Sequence, residues 1–159
     1  MVIGIDPGKN TGIAIIIQPN KIITEVVKYS GSMDLFVDTV ISTCSKIADL
    51  KKSIVFIEGY RIYNSPISIM AATTHKLDII ITESILINER IKKFVRHSFL
   101  VNPIWKGTMD DSLVKARVDS IVKNKKFYLP GKNLTSHEYD AIGIALNGVN
   151  LFNTTSGKK

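Results

Sequence analysis

The first 29 residues carry three apolar runs, at 2–6, 12–18 and 21–29, with only short links between them. Runs of this length bounded by Gly and Pro read as core strands. Pro19-Asn20 turns the chain between the second and the third. With such links the three strands form an antiparallel meander. The first, Val2-Ile-Gly-Ile-Asp6, ends on a carboxylate just before Pro7-Gly8. A lone charge at the rim of a buried sheet is expensive unless it meets a cation or a donor. Asp6 equally fits a simpler role, starting the Asp-Pro-Gly turn through its own backbone.

Beyond the meander, Ser32 reads as the N-cap of a helix to about Leu50. Its Phe36, Val37, Val40, Cys44, Ile47 and Ala48 recur at helical spacing. Ser53 to Tyr60 is a further core strand, closing on Glu58-Gly59. Ser65-Pro66 is a helix start, and the stretch after it, to about Phe94, is ambiguous. Asp78-Ile-Ile-Ile-Thr82 is β-branched in the manner of a strand, yet Leu77, Ile81, Ile85 and Ile91 fit one helix face and favour a helix over 77–91. Phe99 to Trp105 reads as a strand broken by Lys106-Gly107. Helices follow from Ser112 to Lys123 and from Ser136 to about Phe152. The order β-β-β-α-β-α-β-α-α predicts an α/β fold, a mixed five-stranded sheet flanked by helices. One domain over 1–152 and a flexible tail at 153–159 are expected.

A chain of 159 residues with 45% hydrophobic content can bury a proper core. Lys+Arg 21 against Asp+Glu 14 gives +7, which suits a polyanionic partner. No apolar run reaches the roughly 18 residues that span a bilayer, and the N-terminus enters a strand at once. Neither a signal peptide nor a membrane partner is expected. Cys44 has no second cysteine to pair with, so a reducing, intracellular compartment is the default.

Three segments bring metal-ligand side chains to telling positions. Asp6 ends the first strand, and Glu58 sits in Ile54-Val-Phe-Ile-Glu-Gly-Tyr60 among apolar neighbours, where an unpaired Glu is disfavoured. His137 and Asp140 open the last helix, and their i, i+3 spacing places them on one face. Oxygen ligands with one imidazole favour Mg²⁺ or Mn²⁺. A carboxylate cluster holding two such ions is equipped for phosphodiester cleavage. Simpler roles exist for two of these: His137 as a polar first-turn residue, Asp140 as a charge favourable near a helix N-terminus. Glu138 is set apart, because Thr135-Ser-His-Glu138 matches a capping box. His75 and His97 have no acidic partners at useful spacing and read as surface or packing residues.

The trio Ile-Gly-Ile-Asp-Pro-Gly, Ile-Glu-Gly-Tyr and His-x-x-Asp-Ala-Ile-Gly-Ile-Ala resembles the RuvC-type Holliday junction resolvases of the RNase H-like superfamily, in the right order and over nearly the whole chain. The resemblance implies a five-stranded RNase H-like sheet, a homodimer, and cleavage of four-way junction or other branched DNA with two Mg²⁺ per active site, Mn²⁺ substituting. It implies that Asp6 bridges both ions, that Glu58 binds one, and that Asp140 binds or orients the other. His137 fills a fourth position, as ligand or as base for the nucleophilic water. No small-molecule cofactor is implied. A bacterial or bacteriophage protein, working in the cytoplasm or at the nucleoid of a bacterial cell, is the expected setting.

There are departures from the pattern. The family carries an aromatic three residues beyond the strand glutamate; Arg61 stands there, beside Tyr60 and Tyr63. Either tyrosine can stack on a base, and Arg61 can lie on a base or hold a phosphate. Lys106 and Lys115, with Arg117, fall where relatives place phosphate-contacting lysines, Lys115 matching better. The alternatives are a strand-end loop for Lys106 and a solvated helix face for Lys115. Lys123, Lys125, Lys126 and Lys132 add to a basic half of the chain, although the first three equally suit a helix end.

Rival readings remain. Asp-x-Gly-x-x-x-Gly also opens the sugar-kinase and actin-like ATPases, but those need two such domains and another Gly-rich loop. An RNase H-like nuclease acting on RNA, of the YqgF type, and a non-catalytic junction-binding module are the other two. A further expectation concerns 67–91, whose apolar excess offers a dimer surface or, alternatively, a buried core helix.

Overall fold

The opening runs form β1 (Val2–Asp6), β2 (Asn10–Ile17) and β3 (Lys21–Lys28), an antiparallel meander in which Asp6 pairs with Gly12 and Asn10 with Lys28. The computed structural model describes residues 1–59, 75–101, 105–107, 109–131 and 133–150, with backbone only for 75–81. After the meander come α1 (Met33–Ile47), β4 (Ile54–Glu58), α2 (His75–Ile91), β5 (His97–Val101), α3 (Asp111–Asn124) and α4 (Ser136–Gly148). Strands β4 and β5 add in parallel beyond β1, and the sheet order is β3-β2-β1-β4-β5. This is the expected mixed five-stranded α/β sheet.

Period-two alternation divides the sheet into two faces. Ile3, Ile5, Ile13, Ile15, Val55 and Ile57 pack against α1 and α2, with Ile87 and Ile91 of α2 in the same cluster. Ala14, Ile16 and Phe56 pack on the other face with Trp105, α3 and α4. Helix α4 is buried from Glu138 to Leu146, apart from a half-buried Asp140, because the sheet covers one side and α3 another. It lies unusually close to the sheet. A Cβ on Gly4 would strike the Ala141 carbonyl oxygen, and one on Gly12 the His137 carbonyl oxygen. At Gly143 the neighbour is the Trp105 ring.

Several expected boundaries move. Helix α1 stops at Ile47, not Leu50: Ala48 is extended, and Asp49 accepts from the Lys51 N–H to cap a separate 3₁₀ turn over Leu50–Lys52. Strand β5 starts at His97 rather than Phe99 and ends at Val101, because its length is set by pairing with Ile54 to Glu58. Trp105 is outside the strand, in 3₁₀ conformation just before the Lys106-Gly107 turn. Helix α4 ends at Gly148 rather than near Phe152; the Val149 N–H caps Ala145, and Asn150 takes a φ of 58°. The Ser65-Pro66 helix start and the tail fall outside the described residues.

The ambiguous stretch is helical over 75–91, but its buried face differs from the one expected. Ile85 is exposed, whereas Glu83, Ser84, Ile87, Asn88 and Ile91 are buried. The apolar spacing misleads because three polar side chains on this face find partners at strand ends, described below. Of the stretch proposed as dimer surface or core, Ile87 and Ile91 are core. Cys44 is wholly buried in α1, and burial pushes its thiol up to about 12. His97 lies exposed on the edge strand, stacked on Phe99. Among the described residues no helix is long and apolar enough to cross a membrane.

Candidate active site

Strands β1 and β4 run in parallel with Ile5 opposite Ile57, so the next residues, Asp6 and Glu58, end neighbouring strands at the same rim. Residues two apart share a face, and Gly4 and Phe56 face α4. Both acids therefore lie on the α4 side. The N-terminal end of α4 brings His137 and Asp140 to that rim, since the close approach at Gly12 sets the His137 backbone directly on β2. His137 Nδ1 lies 3.0 Å from Asp6 Oδ2. Lys106 Nζ donates to Asp140 Oδ2 at 2.7 Å and is 3.7 Å from Asp111. Asp6 and Asp140 keep only 14% and 13% of their side-chain exposure, against 39% for His137.

The electrostatics follow from burial and crowding. Burial pushes the Asp6 carboxyl above its ordinary range; the His137 hydrogen bond opposes this and the Asp140 charge adds to it. Burial lifts Glu58 to about 7, reinforced by the charges of Asp6 and Asp140 and opposed by Lys106 and by a hydrogen bond from Trp105. His137 titrates above its usual value, chiefly through its hydrogen bond to Asp6. For Lys106, burial favours the neutral amine, but its acidic neighbours, Asp140 foremost, outweigh it and raise the pKa. Acids held high by desolvation and by one another are acids short of positive charge.

All four predicted acid and imidazole residues thus reach one rim, and Lys106 joins them as a partner of Asp140 rather than as a bare loop lysine. Lys115 is exposed on α3, with Nζ 5.5 Å from the centre of the Tyr139 ring. Arg117 is half-buried on the same helix, and Lys123, Lys125 and Lys126 are exposed at its C-terminal end. Tyr60, Arg61, Tyr63 and Lys132 lie outside the described residues. Glu138 forms the expected capping box with Thr135 and accepts a 2.7 Å hydrogen bond from Thr24. Among the described residues no group of three or more His, Cys, Asp or Glu is close enough together to hold a metal as it stands; Asp6 meets His137 and Asp140 meets Lys106 instead.

Two residues near the site carry no sequence signal of their own. Trp105 is buried, seats α4 through Gly143 and faces Glu58. Glu83 is fully buried on α2 and hydrogen bonds with Thr11. Its spacing of i, i+4, i+8 with Ile87 and Ile91 is the only trace in the sequence.

Comparison of the sequence with protein-family models and with curated proteins finds no match. Comparison with solved structures does. RuvC of Thermus thermophilus superposes with a TM-score of 0.58 at 20% identity, over 93% of this chain and 92% of that one. T. thermophilus RuvC in complex with Holliday junction substrate gives 0.55 at 17% identity, covering 98% and 95%. The yeast mitochondrial Holliday junction resolvase Ydc2 gives 0.53 at 14% identity, covering 96% and 78%. The fold is the RNase H-like α/β fold of RuvC.

Proposed function

We propose that the chain is a metal-dependent, structure-selective endonuclease that cleaves four-way DNA junctions, and other branches such as forks or flaps, by paired nicks. The observation that carries this reading is the convergence of Asp6, Glu58, His137 and Asp140 at one rim of the sheet. The fold neighbours, which are Holliday junction resolvases, support it. The net charge of +7 suits a nucleic-acid partner. A homodimer follows from the need for two sites on a symmetric junction.

Three carboxylates and an imidazole fit Mg²⁺, with Mn²⁺ as a substitute, and the raised carboxyls of Asp6 and Glu58 fit the same need for a cation. Two such ions supply an activated water and stabilise the leaving oxygen. Asp6 would serve both ions, Glu58 would hold one, and Asp140 would hold or orient the other. His137, already bonded to Asp6, holds an ion or takes the proton of the attacking water. Lys106 bonds only Oδ2 of Asp140, which leaves the other oxygen for an ion, and its ammonium is suited to a nearby phosphate. Lys115 and Arg117, with Tyr60, Arg61 and Tyr63, extend the DNA contact.

The test is nicking of an immobile four-way junction beside a matching linear duplex, in Mg²⁺, Mn²⁺ and EDTA. Paired nicks in the junction alone, lost in EDTA, are expected. Tight junction binding without nicks in either metal would make the chain a binding module. Activity on structured RNA alone would make it an RNA nuclease.

A further inference from the structure

Helix α2 buries three polar side chains against the sheet, Glu83, Ser84 and Asn88, and the nuclease reading uses none of them. Ser84 Oγ donates to the Glu58 carbonyl oxygen at 3.1 Å. Asn88 Oδ1 accepts from Ser98 Oγ at 2.7 Å. Glu83 Oε1 hydrogen bonds with Thr11 Oγ1. Glu83 has no exposure to solvent, and its Oε2 has no hydrogen-bond partner among the described residues. An ionised carboxylate in that position would be expensive.

Counting protons favours the neutral acid. Thr11 Oγ1 also lies 3.0 Å from the Gly8 carbonyl oxygen and 3.3 Å from the Gly8 nitrogen. A hydroxyl has one proton and two lone pairs. The Gly8 carbonyl can only accept, so it takes the Thr11 proton, and the Gly8 N–H fills one lone pair. The second lone pair is then open to Glu83, whose oxygen fills it when it carries a proton. The neutral acid satisfies all three contacts; a carboxylate competes with the Gly8 carbonyl for a single proton. Burial lifts this carboxyl to about 8 and the Asp6 charge reinforces it, in the direction of the neutral acid.

Its position excludes a place among the α4 side chains. Thr11 points to the α2 face, whereas its neighbour Gly12 meets His137 on the other. Glu83 therefore supports the turn after Asp6 from beneath the sheet. We propose that Glu83 is a positioning residue: as a neutral acid it donates to Thr11 and pins the Gly8–Thr11 turn that carries Asp6, while Ser84 pins the backbone of Glu58. One turn of α2 thereby fixes both strand-borne acids. The proposal rests on the reading of those acids as metal ligands.

The test is Mn²⁺ titration of the intact protein by calorimetry, followed by junction nicking. Glu83→Ala should weaken Mn²⁺ binding about tenfold, the low end of what loss of a supporting residue removes, and slow nicking in step, with junction affinity in EDTA unchanged. Glu83→Gln, whose amide N–H can donate to Thr11, should restore both. Wild-type Mn²⁺ affinity in Glu83→Ala would overturn the proposal. So would a Glu83→Gln as defective as Glu83→Ala, since the charge would then be what matters. Should Glu83→Ala not fold, Thr11→Ser with normal Mn²⁺ affinity beside a weakened Thr11→Val supports the same role, and an unaffected Thr11→Val overturns it. A wild type that binds Mn²⁺ but nicks no junction would defeat the substrate reading alone, and the Mn²⁺ titrations would still decide the role of Glu83.

Discussion

Asp6 Oδ2 and His137 Nδ1 meet at 3.0 Å across the gap between the end of β1 and the first turn of α4. The contact ties the strand-borne half of the site to the helix-borne half and is the main reason His137 titrates high. Its stabilisation is complete below the ordinary histidine pKa and is lost as pH rises through the raised value of the folded state. Asp6→Asn should abolish nicking and spare junction binding. The His137 titration, followed by NMR, should move down. Retained cleavage would remove Asp6 from the site, and an unmoved histidine would show that the pair does not govern it.

Among the described residues Lys106 is the cation paired with Asp140, a carboxylate with 13% of its side chain exposed. Lys106→Ala leaves that charge without its partner and should destabilise the protein by about 1–3 kcal/mol in urea. Added Mg²⁺ should stabilise this variant more than the wild type, since an ion can replace the lost charge. Equal urea midpoints with and without the lysine would contradict the pairing.

Glu138 stands next to His137 in sequence but serves the fold. Glu138→Ala removes the capping box and the Thr24 bond, and about 1–2 kcal/mol should be lost. Nicking per folded molecule should stay within twofold, whatever the loss of stability. A larger fall would move Glu138 into the site.

Glu83 gives a pH signature. Its ordinary pKa is 4.5 and its folded value about 8, so between these limits the unfolded chain has released a proton that the native chain keeps. Stability owed to this residue therefore falls as pH rises through the window, by up to roughly 1.4 kcal/mol per pH unit. Glu83→Gln has no such proton. Its stability relative to wild type, from urea unfolding at pH 5, 6, 7 and 8, should climb steadily; a flat difference would mean Glu83 is already ionised in the native state.

Gly12→Ala would push a methyl group onto the His137 carbonyl. A destabilisation of about 1–3 kcal/mol is expected, with nicking falling further than the folded fraction because His137 is displaced. Gly131→Ala, where the methyl meets open space, is the matched control and should be silent in both assays.

What sequence conveys here divides along physical lines. The meander, Glu58 closing its strand and the Thr135–Glu138 capping box depend on residues close together in the chain, and each is legible there. Asp6, Glu58, His137 and Asp140 reach one rim through packing, yet each stands at or near the end of an element, which marks it. The buried face of α2 is not legible, because Glu83, Ser84 and Asn88 count as polar until Thr11, the Glu58 carbonyl and Ser98 arrive from distant strands. Trp105 reads as a strand end, and only the bare surface of Gly143 shows why a large ring belongs beside it.

At Gly4 and Gly12 the last helix touches the sheet backbone to backbone. The spacing between the backbones that carry the strand acids and the helix residues of the site is therefore a gauge cut in peptide units, with no side chain standing between them. Random replacement of apolar residues elsewhere can loosen the molecule while leaving that gauge true. A single methyl group at either glycine would ruin it, so a mutational library scored for cleavage should tolerate core changes widely and these two positions hardly at all.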